Sequence, residues 1–214
     1  RGKVVLCPSN TFMATPLSVI KVGGQVQFVD CNLYDLCMSY DDFVVKAEKY
    51  HPVAVWLVYI GGHIAFDVEK IAAYCRDNNI WLLEDCAHAH GAHWNGRKPG
   101  TWGDAGVYSF YATKTVSTGE GGMLVTRHQD LVEFARKYRN YGKFDHMVES
   151  LNFRMSEFTA AIGCVQVERM LDIVTWKQEY ARNVLHPFYS NRLKLPEGME
   201  SGYYKYIVFD EIEN

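Results

Sequence analysis

Short apolar runs rich in β-branched residues alternate along most of this chain with longer stretches of helical period, and no other feature limits its possible folds as much. Runs at Val4–Leu6, Gln25–Val29, Val53–Val58, Ile80–Leu83, Gly106–Phe110 and Met123–Thr126 predict strands. Stretches at Met13–Val22, Tyr40–Lys49, Val68–Asn78 and Gln129–Asn140 predict helices. Each of the first three helices links two strands, so the first four strands are expected to be parallel. Only 12 residues, three of them glycine, separate Gly106–Phe110 from Met123–Thr126, a spacing that permits an antiparallel return. The fold class is therefore α/β, a mostly parallel sheet flanked by helices in three layers. Phe158, Ala161, Ile162, Val165, Val167, Met170 and Leu171 predict a long helix from Met155 towards Tyr189. Residues 1–186 are expected to form one large domain and 187–214 to begin a smaller α+β domain, with a strand-like run at Tyr204–Phe209.

With 48% hydrophobic residues the chain can bury a sizeable core, which excludes a disordered protein. Net charge is −3 from 22 basic and 25 acidic residues without a block of like charges, so neither nucleic acid nor an anionic membrane is indicated as a partner. Six cysteines include no CxxC pair and lie mostly in apolar segments, which reads as core thiols in a reducing cytoplasm. No run approaches the 18 apolar residues of a membrane span. Because the chain opens on Arg1-Gly-Lys3 just before a strand and stops just after another, further sequence is expected at both ends.

Two polar residues carry the chemistry. Asp85 closes the apolar run that starts at Ile80, and in open α/β sheets ligands bind at the carboxyl ends of strands. Lys114 follows 29 residues later on a segment rich in Ser, Thr and Gly, with hydroxyls at Ser109 and Thr113 and glycines at 119, 121 and 122. An amine that forms a Schiff base and a carboxylate that keeps a pyridine nitrogen protonated are what pyridoxal phosphate requires of a protein. Taken singly, the pair Glu84-Asp85 could cap a turn, Lys114 could be solvated, and the glycines could form a plain tight turn. The loop lacks the Gly-Lys-Ser/Thr ending of a nucleoside triphosphate loop, and no GxGxxG follows the first strand. Cys86, His88, His90 and His93 could suggest a metal or a Cys-His nucleophile, but His88 as a cofactor neighbour, with the others as packing groups, is more economical, and no metal is expected.

Together, Glu84-Asp-Cys-Ala-His-Ala-His-Gly91, Gly103-Asp104, Ser109-Phe-Tyr-Ala-Thr-Lys114 and Gly119-Glu-Gly-Gly122 resemble the sugar-nucleotide aminotransferases of the DegT/StrS type, within the aspartate aminotransferase-like class of pyridoxal phosphate enzymes. The likeness extends to Pro8-Ser-Asn-Thr-Phe-Met-Ala14 and to Asn152-Phe-Arg-Met-Ser-Glu157-Phe-Thr-Ala-Ala161. It implies that 1–186 is the cofactor-binding large domain. It also implies that Lys114 is the Schiff-base lysine and proton carrier, that Asp85 pairs with the pyridine nitrogen, and that Phe12 stacks on the ring. Ser109 would bind the phosphate, with Asn152 reaching in from the other subunit of a homodimer. Position 88 is most often Gln in such sequences; here it is His88, beside the cofactor.

The implied reaction moves an amino group from an amino acid, glutamate by expectation, to a nucleotide-linked keto-sugar, in amino-deoxysugar synthesis for a surface polysaccharide or a secondary metabolite. Related sugar dehydratases replace the lysine with histidine, so Lys114 speaks for transamination. A non-catalytic regulator would show an eroded site or a DNA-binding appendage, and neither is visible. The family's Gly-Thr or Gly-Ser phosphate turn falls upstream of Val4, so this chain alone is expected to bind cofactor poorly.

Overall fold

The computed structural model describes residues 2–143 and 147–210. Its centre is a six-stranded sheet of β1 (Val4–Pro8), β2 (Gln25–Val29), β3 (Ala54–Val58), β4 (Trp81–Asp85), β6 (Ala105–Ser109) and β7 (Gly122–Thr126), in the order β2-β1-β3-β4-β6-β7. All neighbours are parallel except β6 and β7, which pair antiparallel from Ala105 opposite Thr126 to Ser109 opposite Gly122. The expected parallel start and antiparallel return are both present. β3 is apolar throughout, as a strand covered on both faces must be, and Val55 and Leu57 are fully buried.

Helices α1 (Ala14–Lys21), α2 (Tyr40–Tyr50), α3 (Val68–Asp77) and α4 (Gln129–Tyr138) flank the sheet. Local chemistry sets their ends. Ser39 caps α2 by accepting from the Asp42 amide, Asp41 and Asp42 favour its positive end, and His51 closes it in the left-handed conformation. Phe43 of α2 and Ile71 and Cys75 of α3 meet Leu6, Val55, Leu57 and Leu82 of the sheet in the core.

The expected long helix begins at Glu157 under a Ser156 cap and is not uniform. It runs as α5 (Glu157–Glu168), α6 (Met170–Tyr180), a π turn (Ala181–Leu185) and α7 (His186–Phe188). Hydrogen bonds continue through Arg169, from its amide to the Val165 carbonyl and from the Ile173 amide to its own carbonyl, so that junction is only a local tightening. The wider turn precedes Pro187, which has no N–H to donate and crowds the carbonyl four residues back.

Two short strands escape the sequence pattern. β5 (His93–Trp94) pairs antiparallel with β8 (Met199–Glu200), drawing the end of the chain onto the large sheet's body. The run Tyr204–Phe209 forms one bridge, Arg192 with Val208, where a strand was expected. The amides at and just before its start face Gly61 and Gly62, with Gly202 donating to the Gly62 carbonyl (2.9 Å) and Lys205 to the Gly61 carbonyl (2.8 Å), whereas the Phe209 amide at its end donates to the Asn191 carbonyl (3.0 Å). No helix among the described residues is long and apolar enough to cross a membrane.

Candidate active site

Alternation along β4 gives its two carboxylates different surroundings. Glu84 points into the core, fully buried, and accepts from the Tyr59 hydroxyl (2.5 Å), the Gly100 amide (2.7 Å) and the Gly103 amide (2.5 Å). Asp85 ends the strand at its carboxyl edge and faces a cavity of about 740 Å³. Its Oδ1 accepts from the Ala87 amide (3.0 Å) and its Oδ2 from the Thr15 hydroxyl (3.1 Å), which in turn accepts from Thr11 (2.9 Å). Burial pushes the Asp85 carboxyl above the usual range, and the bonds from Ala87 and Thr15 and the charge of Lys114 only partly oppose it.

Lys114 rides on a loop tied off at its base. The Phe110 amide donates to the Gly121 carbonyl (2.8 Å), the Thr118 amide to the Phe110 carbonyl (2.9 Å), and the Lys114 amide to Tyr111 (2.9 Å). Gly121, at φ +151°, makes this closure possible: a Cβ there would meet Thr118 Oγ1 at 2.9 Å. Ser109, the last residue of β6, stands at the loop's start and also lines the cavity.

The cavity thus brings together Phe12, Asp85, His88, Ser109 and Lys114, five of the six residues singled out in the sequence. Phe12 exposes 75% of its surface at the rim. Asn152 lies outside it, bridged to Asn140, with its side-chain oxygen accepting from the Arg154 amide (3.0 Å). His88 Nδ1 accepts from the Gly61 amide (3.3 Å), which puts the proton of the neutral ring on Nε2. Burial, then the charges of Lys114 and Lys205, hold its pKa down to about 4, so the ring is uncharged at neutral pH.

Other nearby groups do different work. Cys86 is buried and its thiol is pushed well above the ordinary range by burial, which argues against a nucleophilic role. His90 packs edge-on against Tyr108 with centroids 5.2 Å apart, and His93 sits in β5. A separate buried group, Asp35, Cys37 and His63, gathers potential ligand atoms within 4.8 Å. Hydrogen bonds engage them: both Asp35 oxygens accept backbone amides, from Cys37 and Phe66, and His63 Nε2 lies 2.9 Å from the Asp35 carbonyl.

Sequence reasoning missed Thr15, Gly61 and Tyr204. Thr15 lies four residues after Thr11 at the entry to α1, a helical spacing that could have placed both hydroxyls on one side. Nothing in the run Tyr203-Tyr-Lys-Tyr206 marks Tyr204 as a cavity residue, because a bend and not a strand aims it there.

A mostly parallel sheet with a carboxylate at one strand end and a lysine on a closed loop after a neighbouring strand defines an α/β protein built to hold a ligand at its strand ends. The chain belongs to the DegT/DnrJ/EryC1/StrS aminotransferase family, whose model matches residues 1–209. Aminotransferases of this family depend on pyridoxal phosphate. One relative, the GDP-perosamine synthase of Vibrio cholerae, is 32% identical over 186 residues, covering 85% of this chain and 50% of that protein. A solved DegT/DnrJ/EryC1/StrS aminotransferase from Brucella abortus superposes with a TM-score of 0.88 at 25% identity, over 96% of this chain and 58% of its own. DesV of S. venezuelae, solved with a ketimine intermediate, gives 0.87 at 26% identity, over 95% and 56%. The chain spans about half the length of the curated relatives it matches.

Proposed function

We propose that this chain is the cofactor-holding part of a pyridoxal phosphate-dependent aminotransferase that passes an amino group from an amino acid, glutamate as the family resemblance implies, to a nucleotide-linked keto-sugar. One observation carries the reading: Asp85 and Lys114, from different strand ends, line the same cavity of about 740 Å³. The residues fit the cofactor. Asp85 is a half-buried carboxylate whose hydrogen bonds, among the described residues, come from neutral donors and not from a cation, which suits it to a protonated ring nitrogen; Ser109 offers a hydroxyl for phosphate, and Phe12 an aromatic face. When bound, the cofactor supplies an electrophilic carbonyl carbon and an electron-withdrawing ring.

This chain's own residues do the rest. Lys114 Nζ takes the proton from the Cα of the amino donor and returns one to the acceptor carbon. Asp85 keeps its charge opposite the ring nitrogen, with Thr15 and the Ala87 amide fixing its two oxygens. Neutral His88 offers Nε2–H as a donor without adding positive charge.

We further place the protein in the cytoplasm as a homodimer, with Asn152 of one subunit completing the other's phosphate site. Residues 1–186 serve as the large domain, and 187–214 open the smaller one. The GDP-perosamine synthase relative supports a sugar-nucleotide substrate, and we place the product among amino-deoxysugars made for a surface polysaccharide or a secondary metabolite. The test is to load the protein with pyridoxamine phosphate and find which nucleotide keto-sugar restores the aldehyde form. Lys114→Ala is expected to abolish turnover; a variant with full turnover would overturn the assignment.

A further inference from the structure

Tyr204 is a cavity residue whose role neither the motifs nor the family assignment accounts for. It arrives from the far end of the chain and is held on both sides. β8 fixes the backbone four residues before it, and the Gly202 and Lys205 amides are anchored on the carbonyls of Gly62 and Gly61. Contact there is close enough to demand glycine: a Cβ on Gly62 would stand 2.9 Å from the Tyr204 nitrogen, and one on Gly202 would overlap the His90 carbonyl oxygen. The Tyr204 ring stacks on His88, with centroids 4.1 Å apart and planes 22° from parallel. Its hydroxyl lies 2.9 Å from Thr113 Oγ1, and the ring draws two cations, the Lys114 ammonium 4.6 Å and the Lys205 ammonium 5.2 Å from its centroid. Burial tends to raise the phenol's pKa, but the Thr113 bond, the charges of Lys114 and Lys205 and a hydrogen-bonding contribution from Lys114 to the hydroxyl outweigh it and lower it.

We propose that Tyr204 is a positioning residue for Lys114: its ring is the seat on which the free amine rests whenever the lysine is not covalently engaged. The inference rests on the transaminase reading, because only a lysine that is released and re-engaged in each cycle needs a resting place. His88 and Thr113 orient the ring, and the ring face attracts the ammonium. An amine kept beside the reacting carbon, and not free to swing into solvent, makes proton transfer effectively intramolecular. The contribution therefore falls on kcat and leaves donor binding nearly untouched.

The experiment has a spectroscopic arm and a kinetic arm, both on the full chain. Lysines are labelled by reductive methylation with ¹³C-formaldehyde, and the Lys114 signal is identified by its loss in Lys114→Arg. An upfield ring-current displacement of that signal, removed in Tyr204→Leu and retained in Tyr204→Phe, is expected; an undisplaced signal in the unsubstituted chain overturns the contact. In turnover, Tyr204→Leu is expected to lower kcat about tenfold with the donor KM within about twofold, and Tyr204→Phe, which keeps the ring face, to recover most of that loss. A Phe variant as impaired as the Leu variant, or a Leu variant with unaltered kcat, refutes the seat. The Lys114→Ala test fails separately: turnover without Lys114 sinks the transaminase reading, and with it any catalytic use of the seat, even if the ring-current contact is found.

Discussion

Replacing Glu84 tests whether the buried carboxylate beside Asp85 is what clamps the following loop to β4. Glu84→Ala would strand three donors, the Tyr59 hydroxyl and the amides of Gly100 and Gly103, in a site with no solvent exposure. At about 1–3 kcal/mol for each orphaned buried donor, the loss is roughly 3–9 kcal/mol, against a typical total stability of about 5–15 kcal/mol. Glu84→Gln should be far milder. The amide nitrogen is better placed at Oε1, where it faces one donor: the Tyr59 hydroxyl and the Gly100 amide then keep Oε2 as acceptor, and of the three donors only the Gly103 amide loses its partner. That orphans one original donor and leaves the new amide hydrogens without an acceptor, but it also removes a charge that burial already disfavours, for a net loss of about 1–3 kcal/mol. Urea unfolding followed by tryptophan fluorescence separates the two; with a slope of about 3 kcal/mol/M, the Gln variant's midpoint should fall by about 0.3–1 M and the Ala variant's by more. Equal midpoints for the two variants would show that the three-donor clamp does not carry this stability.

Asp85→Asn should act in opposite directions on stability and on activity. Burial raises the folded-state pKa of Asp85 above its unfolded value near about 4, so the cofactor-free chain keeps this group's full contribution below that value and loses it as pH rises through the folded-state pKa. Removing the charge should leave the cofactor-free chain at least as stable at pH 7, with any gain fading towards about pH 4, while cofactor binding is lost; thermal unfolding that shows it less stable by over about 1 kcal/mol at pH 7 would refute this. Gly62→Ala places a Cβ 2.8 Å from the His88 carbonyl oxygen and 2.9 Å from the Tyr204 nitrogen at φ +107°, so a loss of about 1–3 kcal/mol is expected in denaturant unfolding. Gly96→Ala, also at positive φ but with nothing within 4 Å of its Cβ, should cost less, and the reverse ranking would count against the packing argument.

Much of the scaffold was legible because strand and helix periods are local properties. All six strands of the main sheet lie within a few residues of the apolar runs that predicted them, and the glycine-rich spacing after Phe110 foretold the antiparallel pair. Strand order was not legible: β1 lies between β2 and β3 through pairings no local pattern encodes. Asp85 and Lys114 could be paired because Ser109, Thr113 and the glycines at 119, 121 and 122 give their segments a composition unlike a core or an ordinary surface turn. The partners of Thr15 and Tyr204 could not be read, since Thr15 meets Asp85 across 70 residues of sequence and Tyr204 meets Thr113 across 91. The Tyr204–Phe209 run misled for a related reason, its Lys205 amide going to Gly61 and its Phe209 amide to Asn191, two partners far apart in sequence.

The β5–β8 pairing carries a consequence for biosynthesis. The Trp94 indole donates to the Glu197 carbonyl across 103 residues, and β8 follows directly. At about 5–20 residues per second, a ribosome that has finished β5 needs roughly 5–20 s more to supply its partner. Throughout that interval the nascent chain carries an unpaired strand edge and, once Lys114 has been added, a lysine without the aromatic ring opposite it. Contacts of such long range also slow spontaneous refolding. A mature domain that is stable once closed can therefore be exposed to misfolding and capture by other chains while it is being made.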